Sequence, residues 1–168
     1  MQNGRAIRAF DYVNHPYEPV RDALTHDALS VFRAATQAAT SRAHDVAAAL
    51  SVAVAGVEVG TEIAITVNRV EQRLPGATTT PETRLVLEWQ ATTRPGLFPL
   101  MRAELAIYPL TATETQLDFS GRYDPPLGLL GSAVDSFVGR RIAEASVHRF
   151  VSDVAAYLRT KLADTSPA

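Results

Sequence analysis

The chain has 168 residues, 46% of them hydrophobic and 20% charged, with a net charge of −2. That length and apolar content suit one globular domain, residues 1–168 with a structured part of about 5–164, and the charge level excludes a disordered chain. The near-neutral balance offers no basic footprint for nucleic acid. The lack of cysteine excludes disulfides, thiolate nucleophiles, iron–sulfur clusters and cysteine-based zinc sites.

In chain order, "RAIRAFDYVN" (5–14) reads as a first strand, broken by the two prolines of "HPYEP". From Val20 to about Leu50 the chain is alanine-rich, with Leu24, Leu29, Val31, Phe32, Ala35 and Ala39 near helical spacing. One or two helices are expected here, divided near Thr40–Ser41, where a serine would cap a second helix over "RAHDVAAAL". A short strand is expected over Ser51–Glu58, turning at Gly60.

Four segments then alternate strictly. Ile63, Ile65 and Val67 oppose Glu62, Thr66 and Asn68; Leu85, Leu87 and Trp89 oppose Arg84, Glu88 and Gln90. Met101, Ala103, Leu105 and Ile107 oppose Arg102, Glu104 and Tyr108; Leu117, Phe119 and Tyr123 oppose Gln116, Asp118, Ser120 and Arg122. Period-two alternation with one apolar and one charged face predicts an antiparallel meander that is wet on one side and covered on the other. The turn-rich links "LPGATTTPE", "RPGLFP" and "PLTATE" agree.

The cover is the tail, predicted as a helix from about Leu127 to Ala163. Val147, Val151, Val154, Leu158 and Leu162 form an apolar stripe in its second half. In its first half Leu130, Val134, Phe137, Arg141, Ala145 and His148 share a line, with Glu144 at its edge. Pro125 and Pro126 suit the first turn of this helix, while Gly128, Gly131 and Gly139 are weak helix formers whose small size leaves room against the sheet.

The stretches "FDYVNHPYEPVRDAL" and "YDPPLGLLGSAVDSFVGRRIAEASVHRFVSDVAAYL", with this element order, resemble the START-like superfamily, the SRPBCC or polyketide cyclase/dehydrase and lipid-transport group. The resemblance covers nearly the whole chain. It implies an α+β helix-grip fold: a curved antiparallel sheet of six or seven strands around a long C-terminal helix, with helices between the first two strands. It also implies a mostly apolar pocket between sheet and final helix. Six strands are counted in the sequence, so either a seventh lies in 55–61 or near 94–100, or this chain departs from the seven-strand pattern.

Motifs for chemistry are missing. There is no G-x-S-x-G, no phosphate loop and no G-x-G-x-x-G. His15, His26, His44 and His148 are scattered, without metal-ligand spacing. The inward meander positions offer no acid or base, so catalytic groups would have to come from the rim or the helices. The same apolar residues fit a filled core as well as a cavity. Trp89 would be packed core or a stacking surface with a polar edge. Tyr123 would be an exposed strand-end tyrosine or a hydroxyl at a pocket mouth. Arg141, Glu144 and His148 would be a solvated row on the helix or, in a pocket, a polar clamp, and the surface reading is favoured. Asp11 and Tyr12 are similarly ambiguous.

The reading is a cytoplasmic, single-domain protein that binds a small hydrophobic or amphipathic ligand of lipid, polyketide or isoprenoid class. The candidate wall is Trp89, Leu87, Met101, Leu105, Phe119 and Tyr123 from the sheet. Leu130, Val134, Phe137 and Arg141 complete it from the helix. No catalytic residue, metal or cofactor is assigned, and neither nucleic acid nor stable membrane insertion is expected. "VAAALSVAVAGVEVG" is too short and too interrupted to span a bilayer, and "MQNGRAIRAFDYVNH" lacks the apolar core of a signal peptide. The oligomeric state is left open. The alternatives are an aromatase/cyclase-type enzyme and a ligand-free interaction module.

Overall fold

The alternating segments pair as their periodicity requires. The computed structural model describes residues 4–36, 40–41, 45–54, 57–91, 101–123 and 133–164. Seven strands form one antiparallel sheet: β1 (Arg5–Val13), β2 (Thr40–Ser41), β3 (Asp45–Val54), β4 (Val57–Arg73), β5 (Glu82–Ala91), β6 (Met101–Pro109) and β7 (Thr115–Tyr123). Their order across the sheet is β1-β7-β6-β5-β4-β3-β2. Two helices, α1 (Tyr17–Thr36) and α2 (Ala133–Ala163), complete the fold. The helix-grip architecture expected from the sequence is present, and the strand not counted in the sequence is β2 at Thr40–Ser41; 57–61 belong to β4, and 94–100 lie outside the described residues.

Register turns the alternation into rows that cross the sheet. Tyr123 pairs with Met101, Met101 with Trp89, and Trp89 with Ile65. The next inward row is Ile7, Gly121, Ala103 and Leu87, and the one beyond it is Ala9, Phe119, Leu105 and Leu85. Most of these side chains are buried. The opposing stripe of α2 holds Ala143, Val147, Phe150, Val151, Val154 and Leu158, all buried. At about 25 cal/mol per Å2, the matched apolar faces supply the main force holding helix to sheet.

Two predictions from the sequence are corrected. Residues 45–54, whose first half was read as a second helix, are strand β3. Ten consecutive pairings with β4, from Asp45↔Thr66 to Val54↔Val57, outweigh the helix propensity of Ala47, Ala48 and Ala49. For the same reason Gly60 is no turn; it lies inside β4, opposite Ser51.

The helical break falls at Asp27, where φ is −154° and ψ 68°, and not near Thr40. Asp27 Oδ1 accepts the Ser30 amide at 3.0 Å, capping the second half of α1. Hydrogen bonds from the Ser30 side chain and backbone hold the Asp27 carboxyl below its ordinary range. α2 begins at Ala133 in the described structure, and the prolines and the glycines at 128 and 131 lie outside the described residues.

A polar seam fastens the C-terminal half of α2 to the edge strand. Arg159 donates to Asp11 Oδ1 at 2.6 Å and to the Tyr12 carbonyl, and its guanidinium lies over the Tyr12 ring. Ser152 donates to Asp11 Oδ2 at 3.2 Å. His15 Nε2 meets the Arg159 carbonyl at 3.3 Å, and Thr115 donates to the His15 carbonyl at 2.8 Å. Asp11 is therefore structural. Asp11→Ala should cost about 1.5–3 kcal/mol in urea unfolding, because it strands a charged donor in a part-buried seam. Asp153→Ala, which breaks the i,i+4 pair with exposed Arg149, should cost no more than about 0.5 kcal/mol. Equal costs would contradict the seam's role.

Candidate functional site

The inner side of the sheet is filled at its centre. The Phe150 ring meets Phe32 at 5.2 Å, Trp89 at 5.3 Å and Phe119 at 6.2 Å, all edge to face. Towards Thr83 and Thr115 the remaining polar groups are satisfied. The buried Tyr17 hydroxyl bonds Thr83 Oγ1 at 2.7 Å, and the Asp11–Arg159 seam lies at the same end.

At the other end the pattern reverses. Trp89, Met101 and Tyr123 form one inward row, each 3% exposed. One helical turn before Phe150, Ser146 sits in the buried stripe of α2 at 2% exposure. The Tyr123 and Ser146 hydroxyls are both buried, and neither has a hydrogen-bonding partner among the described residues. Such a group costs about 1–3 kcal/mol when left unsatisfied.

Of the wall predicted from sequence, the structure gathers Trp89, Leu87, Met101, Leu105, Phe119 and Tyr123 on one buried face. Tyr123, for which an exposed strand end was the ordinary reading, is buried because the β7 alternation carries it under the helix. Val134 and Phe137 lie in the first turns of α2, and Leu130 lies outside the described residues. Arg141 is exposed and outside the buried stripe, as is His148, while Glu144 pairs with Arg140 at 2.7 Å. The row Arg141–Glu144–His148 is thus a helix surface. Ser146 was missed; its one signal was a serine interrupting the apolar line of Ala143, Val147 and Phe150.

The outer face carries a different feature. A trough of about 480 Å3 crosses the strands over the backbone of Ile7, Gly121, Ala103 and Leu87. Arg122, Arg102 and Glu88 wall one side, and Arg8, Ser120 and Glu104 the other. Arg8 is tied to Asp118, and Asp118 also accepts the Tyr108 hydroxyl at 3.4 Å. Burial, followed by the Asp118 charge, pushes the Tyr108 hydroxyl above its ordinary range. At Asn68 a register shift between β4 and β5 ends the trough. Among the described residues no group of three or more His, Asp or Glu side chains is arranged to hold a metal. No described helix is long and apolar enough to cross a membrane.

No protein-family model matches the sequence, and no curated protein matches it significantly. Solved structures do match. Zhui aromatase/cyclase from Streptomyces sp. R1128 aligns over 98% of this chain and 99% of its own, at TM-score 0.50 and 15% identity. The fold is START-like. A START superfamily protein from Mycobacterium smegmatis covers 97% of this chain and 100% of its own, at TM-score 0.45 and 12% identity. The human StarD13 lipid transfer and protein localization domain covers 92% and 77%, at 0.47 and 12%. At these identities the likeness concerns the START-like fold alone.

Gly121 shows how closely this wall is fitted. A Cβ there would lie 3.0 Å from Met101 Sδ and 3.2 Å from both Ala103 Cβ and Phe119 Cε1. Gly121→Ala should therefore destabilise the protein by about 1–3 kcal/mol in chemical denaturation, and Ala103→Gly in the same chain should recover part of the loss. An unchanged midpoint for Gly121→Ala would contradict this packing.

Proposed function

We propose that the protein binds a small hydrophobic or amphipathic molecule, of lipid, polyketide or isoprenoid class, between the Trp89–Met101–Tyr123 end of the sheet and the first half of α2. The observation that carries this reading is the division of chemistry between the two faces. Among the described residues, the ion pairs lie on the outer face, on the helix surfaces and at the β1–α2 seam. The inner wall is aromatic and aliphatic. Such a wall binds by removing apolar area from water, with a few polar atoms setting orientation. A START-like fold supports the reading by presenting this face to a long helix.

The same wall favours binding over turnover. No base stands within hydrogen-bond reach of the Tyr123 hydroxyl among the described residues. Arg141 and His148 are exposed, which does not favour the acid or base role the cyclase reading would give them.

Trp89 is the only tryptophan, so its emission reports this end of the wall alone. N-phenyl-1-naphthylamine, a neutral apolar dye that absorbs where tryptophan emits, should quench Trp89 saturably at one dye per chain. Its Kd should lie below about 100 μM, a modest affinity for the area buried. Native mass spectrometry of freshly purified protein, followed by denaturing extraction, should reveal a co-purifying molecule of the same apolar class. A folded protein that neither quenches with the dye nor carries such a molecule would contradict the reading.

A further inference from the structure

We infer that the Tyr123 and Ser146 hydroxyls form a two-point anchor for an uncharged oxygen-bearing head group, a hydroxyl or carbonyl, on the apolar ligand proposed above. The inference rests on that reading and specifies its ligand. Both oxygens are buried and lack a partner among the described residues. Among the described residues the other buried hydroxyls are matched, such as Tyr17 with Thr83 and Thr36 with the Phe32 carbonyl, so two orphans at one end are a specific arrangement.

Their placement puts both towards the same end of the interior. Tyr123 and Trp89 flank Met101 in one cross-strand row. Trp89 is 5.3 Å from the Phe150 ring, and Ser146 lies one turn of α2 before Phe150, on the same buried stripe. α2 runs from this end towards Arg159 and the Asp11 seam, so its first half covers the Tyr123 end.

The nature of the head follows from its surroundings. Each hydroxyl can both donate and accept, so together they suit a hydroxyl or a carbonyl. The side chains around them, Met101, Trp89, Ala143, Val147 and Phe150, are apolar. A carboxylate buried there would carry a heavy desolvation penalty, and Arg140, the cation near enough to interact with Tyr123, is exposed and already paired with Glu144 at 2.7 Å. The nearest cation in register is Arg5, opposite Tyr123 on β1; it is exposed, so its charge stays in water outside the enclosed wall.

The test uses probes that share a naphthalene body and differ in the head: 2-methylnaphthalene, 2-naphthol, 2-acetylnaphthalene and 2-naphthoate, each displacing N-phenyl-1-naphthylamine from the full chain. 2-Naphthol and 2-acetylnaphthalene should bind about five- to tenfold more tightly than 2-methylnaphthalene, as one or two net hydrogen bonds allow, and 2-naphthoate should bind no better than 2-methylnaphthalene. Tyr123→Phe with Ser146→Ala should erase the preference, bringing the affinity ratio of 2-naphthol to 2-methylnaphthalene to about one. Without ligand, each single variant should keep or raise Tm, by up to about 4 °C, since an orphan buried hydroxyl is removed.

Equal binding of all four probes, or a preference that survives in the double variant, would overturn the anchor while the ligand-binding reading stands. Tightest binding of 2-naphthoate would overturn the uncharged head and point to Arg140 or Arg5. A fall in Tm for Tyr123→Phe would show a hydroxyl already satisfied, as by a resident water, and would overturn the anchor too. Failure of the dye itself to bind would remove the underlying reading.

Discussion

The Phe150 ring meets Trp89, Phe119 and Phe32 edge-on at centroid separations of 5.2 to 6.2 Å, and this contact decides how helix, sheet and α1 share their interior. It joins α2 to both the centre of the sheet and the second half of α1. Edge-to-face rings add about 0.5–1.5 kcal/mol per pair to the area they bury. They also constrain direction, because three rings around a fourth leave little freedom to slide. With Phe150 fixed, the register of α2 on the sheet is fixed as well, and the interior is divided into two ends.

Those ends differ in how their polar atoms are treated. Beyond Phe150 towards β1's C-terminal end, each donor that enters the interior finds an acceptor: Tyr17 with Thr83, Thr115 with His15, Arg159 with Asp11 and Tyr12. That end is a fastening. Towards Tyr123, two hydroxyls enter an apolar wall without partners among the described residues. The stability lost there is offset by the sealed end, an arrangement expected where part of a fold is kept for a ligand. The charged trough on the outer face is a separate surface. Strand alternation that turns apolar residues inward necessarily turns Arg102, Arg122, Glu88 and Glu104 outward.

Much of this was legible in the sequence, for identifiable reasons. β5, β6 and β7 each bury one face, so Leu85, Leu87 and Trp89, and their equivalents on the neighbouring strands, alternate without a break. The first half of β3 was illegible because Ala47–Ala49 favour a helix when read locally, and only the long pairing with β4 makes them a strand, whereas Ser51–Val54 read as strand in the sequence. The Asp27 break was hidden by a single residue whose side chain caps what its backbone interrupts. Within the site, Trp89, Met101 and Phe119 were marked by period and size. Tyr123 was found as a residue, but its burial depends on where α2 lies, which no local pattern encodes. Ser146 passed as an ordinary helical serine, because the information that matters is the absence of a partner, a property of the folded interior.

The measurement that bears most directly on this account is a crystal structure of the protein grown with 2-naphthol. Density for the ring against Trp89 and Met101, with its oxygen within hydrogen-bond distance of Tyr123 Oη and Ser146 Oγ, is the predicted result. Density in the outer trough between Arg102, Arg122 and Glu104, with the Tyr123 end closed by protein side chains, would contradict it.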